Sequence, residues 1–143
     1  MKRILLFAAI ALIALVSSCK KDPKPEELLI GKWKTTKVIS DGEDILAPDP
    51  DYKTELEIEF TESGNVVYTF KDTDLTVNPP EPEIFSQTGT YSWNGDQLTL
   101  SYIDGTDTVS VTGKPDVTKS RLVFVATSGA VEDFFSLLEA DKL

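Results

Sequence analysis

Asn94-Gly95 stands between two runs of alternating residues: Phe85, Gln87, Gly89, Tyr91 and Trp93 share one face before it, and Leu98, Leu100 and Tyr102 share one after it. A period of two places each set on one side of a strand, and Asn-Gly is the strongest short-range hairpin signal. The same pattern covers most of the chain. Further runs occupy 31–40, 54–61, 65–71, 108–112 and 120–126, with the hairpin pair at 84–93 and 97–103. Turn chemistry at 62–64, Asp104-Gly105 and Gly113-Lys114-Pro115-Asp116 separates them. The expected fold class is all-β, an antiparallel up-and-down meander of seven strands, because every junction is short enough to join nearest neighbours.

In a meander, alternate connections lie at opposite ends of the sheet. The two long ones, 41–53 and 72–83, fall at the same end, which predicts an open mouth there and a closed base at the tight turns. The expected inward set is Trp33, Leu56, Ile58, Phe60, Tyr68, Phe70, Phe85, Tyr91, Trp93, Leu98, Leu100 and Tyr102, with either Leu122 and Phe124 or Val123 and Val125. After these strands the period changes. Val131, Phe134, Phe135 and Leu138 stand at i, i+3, i+4 and i+7, which predicts an amphipathic C-terminal helix over 128–141, its phenylalanines covering one side of the sheet.

Composition removes several function classes. The chain has no histidine, so histidine bases, histidine-activated nucleophiles and the usual zinc sites are closed to it. Glu55, Glu57 and Glu59 alternate with Leu56, Ile58 and Phe60, which reads as a solvated strand face over a buried one rather than a catalytic carboxylate set. No catalytic residue, metal site or cofactor is therefore assigned, and the chain is expected not to be an enzyme. With 14 basic and 24 acidic residues the formal charge is −10, which disfavours nucleic acid as a partner.

The N-terminus carries an address. Met1-Lys2-Arg3 is followed by an uncharged stretch from Ile4 to Val16, two serines and Cys19, the only cysteine. These are the parts of a secretory signal, and the apolar stretch is short of the roughly twenty residues that cross a bilayer. The junction Leu15-Val16-Ser17-Ser18-Cys19 resembles the lipobox of bacterial lipoproteins. That resemblance implies removal of residues 1–18, acylation of Cys19 and a lipid bilayer as partner. Lys20 after the cysteine implies the outer membrane, on its periplasmic or its surface face. Residues 19–27, rich in lysine and proline, read as an extended tether, and 28–143 as the domain.

At Gly31-Lys32-Trp33 the first strand opens on a Gly-x-Trp, and 89–100 reads Gly-Thr-Tyr-Ser-Trp-Asn-Gly-Asp-Gln-Leu-Thr-Leu. Together these resemble the lipocalin-like lipoproteins of Gram-negative bacteria. The resemblance implies a small antiparallel up-and-down barrel of seven to eight strands, seven counted here against the family's usual eight, with Trp33 packed across its closed end, and assigns Gly31, Trp33 and Trp93 structural roles. Classical members also stack an arginine on that tryptophan, a role for which Arg121 is the only candidate left once the leader is gone. A barrel of about eight strands is either filled by side chains or holds one small ligand. Two functions follow. One is a small hydrophobic or glycan-like ligand bound at the long-loop end by Phe70, Phe85, Gln87, Tyr102 and Tyr52; the other is a packed barrel acting as a non-catalytic subunit that meets a cell-envelope protein.

Overall fold

The computed structural model describes residues 22–129 and 135–143. A short helix, α1 (Pro25–Leu29), precedes nine strands: β1 (Gly31–Ser40), β2 (Glu43–Asp44), β3 (Tyr52–Phe60), β4 (Asn65–Asp74), β5 (Pro82–Asn94), β6 (Gln97–Asp104), β7 (Asp107–Val117), β8 (Arg121–Gly129) and β9 (Leu137–Lys142). The strands pair antiparallel in chain order, and β9 returns to β1, so eight of them close a ring. β2 is an extra two-residue strand on the outer end of β1. The ring and α1 beneath it share one cluster of buried apolar residues that runs from Leu29 to Ala140. Among the described residues no helix is long and apolar enough to cross a membrane; Cys19 and residues 1–18, the segment read as a secretory signal, lie outside them.

The C-terminal segment departs from the sequence expectation. Ser128 and Gly129 end β8, and Leu137–Lys142 is a strand rather than the second half of a helix. Leu138 and Ala140, both 1% exposed, face inward from β9, while the backbone of β9 bonds to β8 on one side and β1 on the other. Ring closure decides this: without β9 both β1 and β8 would present unpaired edges, whereas a helix laid over the sheet would satisfy neither. Val131 and Phe134, half of the helical stripe, lie outside the described residues.

Two other boundaries move. The tether was expected to stay extended to Glu27, yet Pro25 begins α1, with Glu26 and Glu27 in its first turn, where proline and acidic side chains suit a helix start. Gly113-Lys114-Pro115-Asp116 is no turn but part of the C-terminal half of β7. Pro115 is tolerated there because it lies beyond Gly113, the last β7 residue paired with β6, so one flank of the strand needs no donor.

The base is sealed from below by α1. Leu29 and Trp33 are fully buried, and the Trp33 indole N–H donates to the Leu29 carbonyl at 2.7 Å. Lys142, the last residue of β9, sets its ammonium 4.9 Å from the centre of the Trp33 ring and donates to the carbonyls of Leu28 (2.6 Å) and Ile30 (2.8 Å). The cation on the tryptophan is thus a lysine. Arg121 instead pairs with Glu139 on the outer wall at 2.8 Å. Gly31 is required where the chain turns from helix to strand: its φ is +121°, and a Cβ there would press on Lys142.

Above the base lie Leu56, Ile58, Phe60, Val66, Tyr68, Leu98, Leu100, Val111, Leu122 and Phe124, all buried. The choice left open on β8 falls to Leu122 and Phe124, whereas Val125 is 46% exposed. A bulge in β1 between Thr35 and Lys37 turns Val38 inward after Trp33 and Thr35. The glutamates of β3 point out, as their alternation implies. Glu55 meets Lys34 (3.1 Å), Lys53 (3.3 Å) and Lys71 (3.7 Å), and Glu59 meets Lys32 (3.6 Å).

Two measurements check this account. Trp33→Ala is expected to lower stability by about 3–5 kcal/mol in urea unfolding, as truncation of a buried aromatic does. Hydrogen bonds from Lys34 and then Lys53 hold the Glu55 carboxyl below the usual glutamate range. Because the folded value is the lower one, the lysine cluster stabilises the fold above the unfolded value and loses that contribution as pH falls through the folded one. Glu55→Gln should therefore flatten the acid limb of the stability curve between about pH 6 and pH 2.

Candidate functional site

The ring does not stay closed to its top. β1 pairs with β3 only from Gly31 to Lys34, and β5 pairs with β6 only from Gly89 to Asn94. Beyond those points β3, β4 and β5 continue together, with β4 paired to β3 as far as Tyr52 and Asp74, and to β5 as far as Thr73 and Pro82. The upper ends of these three strands form a flap that stands off its neighbours on both sides. Gly89 marks where β5 leaves β6: a Cβ at this position would collide with the Ser101 carbonyl oxygen, so only glycine permits the approach. Above that point the Gln87 side-chain amide reaches across the gap, donating to the Ile103 carbonyl at 3.4 Å.

Behind the flap is a cavity of about 110 Å3 lined by Val38, Ile45, Leu56, Tyr68, Phe70, Gln87, Tyr102 and Phe135. Each reaches it for a local reason. Val38 is turned inward by the β1 bulge, and Ile45 follows β2, where the Asp44 carboxylate accepts from the Val38 and Leu46 amides at 3.4 and 3.1 Å. Leu56 and Phe70 are a cross-strand pair, as are Tyr68 and Gln87. Phe135 packs edge-to-face on Phe124 at 5.8 Å.

Among the described residues no charged side chain lines this space. Burial, with Tyr102 adding to it, pushes the Tyr68 phenol far above its usual range, so it stays a neutral hydroxyl. The walls thus present apolar surface with two phenols and one amide, which can orient a ligand but offer no ionised group. Among the described residues no group of three or more histidine, cysteine, aspartate or glutamate side chains gathers to hold a metal ion.

Of the residues singled out from sequence, Phe70, Gln87 and Tyr102 meet at the cavity. Phe85 does not line it. It faces the same way as Gln87 but sits on the flap at 61% exposure, because β5 has already parted from β6 at that height. Tyr52, 56% exposed, stands farther out at the end of β3. Trp93 is at the base, its indole N–H donating to the Gly95 carbonyl at 2.8 Å across the hairpin turn. Tyr91 beside it donates to the Thr61 carbonyl at 2.7 Å and packs edge-on against Phe60. Val38 and Phe135 are lining residues that sequence reasoning missed. The bulge that turns Val38 inward has no sequence mark, and Phe135 was hidden by the helical spacing around it.

A family model described as a lipocalin-like domain matches residues 29–124. Among solved structures, the chain is similar to a lipocalin-like protein from Bacteroides uniformis, with 14% identity, coverage of 80% of this chain and 97% of that chain, and a TM-score of 0.47. No curated protein matches it.

Proposed function

Since the chain belongs to the lipocalin-like domain family, we propose that it is a membrane-anchored lipoprotein whose barrel binds a small hydrophobic ligand at the long-loop end. The cavity behind the flap carries this reading. Its volume, about 110 Å3, falls below that of pockets enclosing drug-sized ligands and near that of an apolar protein cavity of about 150 Å3 that admits benzene. The enclosed part of the ligand is accordingly one ring or a short branched alkyl group. A glycan is the weaker choice, for most of the wall is hydrocarbon and the polar atoms are few.

Anchoring is the second half of the reading. The signal anatomy and the lone Cys19 support acylation, which gives an otherwise free thiol in an exported chain a defined use, and Lys20 after the cysteine supports the outer membrane as its address. The runner-up, an interaction subunit of an envelope complex, draws on exposed apolar side chains around the mouth. Ile45, Tyr52, Leu75, Val77, Ile84 and Phe85 are each 42% exposed or more.

Cys19→Ala is expected to move the protein from the membrane fraction to the soluble one; a variant still wholly membrane-bound refutes the anchor. Phenol titrated into residues 20–143 should give saturable NMR shifts at the Gln87 side-chain amide. Ile45→Trp, which fills the entrance from a half-exposed position, should abolish those shifts without changing the melting temperature. An unshifted spectrum of the unaltered protein would leave the interaction subunit as the better reading.

A further inference from the structure

The inner face of the flap changes character within one register step of the cavity. Leu56, Phe70 and Phe85 form one row across β3, β4 and β5; the next row outward is Thr54, Asp72 and Glu83, about 7 Å farther along the strands. Asp72 and Glu83 are direct cross-strand partners. Like charges in that position repel, and a fold normally avoids the pair or places a cation over it. Here it is left bare: among the described residues neither carboxylate has an ion pair or a side-chain hydrogen bond. Lys53 and Lys71 are close in sequence, but both serve Glu55 on the opposite face.

The ledge continues outward. Asp72, Asp74, Glu81 and Glu83 line one hollow with Tyr52, Val77 and Pro82, and the only lysines on these strands face away from it. One oxygen of Asp74 accepts from the Thr76 amide and hydroxyl, at 2.8 and 2.6 Å, and so belongs to the turn. The carboxylates are spread along the strands rather than gathered, in keeping with the absence of a metal-holding group among the described residues. Spread negative charge beside a ring-sized apolar hole complements an organic cation that carries an apolar end.

We propose that the cavity and the flap ledge form one site selective for cationic amphiphiles of low mass, with the apolar end behind Phe70 and an ammonium or guanidinium group over Asp72 and Glu83. This rests on the cavity reading above and adds the charge of the ligand. A linker of about four methylenes spans the single register step between the two parts.

The test compares 4-phenylbutylamine, 4-phenylbutanol and 4-phenylbutyrate by calorimetric titration of residues 20–143. The amine should bind about three- to tenfold more tightly than the alcohol, as one or two exposed ion pairs supply, and the carboxylate more weakly than both. Raising salt to about 1 M should close the gap between amine and alcohol. In the Asp72→Asn, Glu83→Gln double variant the amine preference should vanish, the alcohol should bind as before, and the melting temperature should hold or rise as the repulsion is relieved. Equal binding of amine and alcohol by the unaltered protein overturns the ledge and leaves the cavity standing. So does an amine preference that survives in the double variant, or a lower melting temperature there. If none of the three ligands binds, the cavity reading and this proposal fail together.

Discussion

The pairing of β9 with β1 is the constraint on which the other features rest. It turns a meander with two raw edges into a ring, brings Leu138 and Ala140 into the interior, and delivers Lys142 to the underside of Trp33. That lysine then holds two carbonyls of the α1 region, so one strand joins the first and last parts of the domain and fixes its plug. A charged group at this depth is tolerable because it is hydrogen-bonded and rests on a ring face that favours a cation.

The two seams explain why an otherwise closed barrel has an opening. β1 stops pairing with β3 after four residues because its upper half turns to β2, and β5 stops pairing with β6 at Gly89. Above these seams β3, β4 and β5 pair with one another but no longer with β1 or β6. Their outer wall remains ordinary, with lysines around Glu55, whereas their inner face passes from phenylalanine to carboxylate in one step. Farther round, the wall is built of neutral hydroxyls, with Thr99 on Thr112 and Ser101 on Ser110, each at 2.8 Å. Charge is therefore sorted by location rather than spread evenly over an acidic protein.

Much of this is legible in the residues. The run at 31–40, the Asn94-Gly95 hairpin, the outward glutamates of β3 and the placement of both long connections at one end all follow from period two and turn chemistry, which are local signals. What fails to show are features settled by distant neighbours. Val131, Phe134, Phe135 and Leu138 satisfy a helical spacing, but Leu138 and Ala140 also satisfy alternation, and only the demand of β1 and β8 for a partner chooses between them. Pro115 and Gly113 read as a turn because nothing local reveals that β6 has already ended beside them. The cavity is half legible for the same reason. Phe70, Gln87 and Tyr102 are found by alternation, whereas Val38 depends on an unmarked bulge and Phe85 is lost to a seam that opens at Gly89, four residues away from it.

The plug has a directional consequence. Asp22 to Lys24 run directly into α1, which sits under Trp33, so the leading part of the chain arrives at the sealed pole while the flap stands at the other. The chain therefore enters the domain as a stem enters a cup, with the rim on the far side from the point of entry.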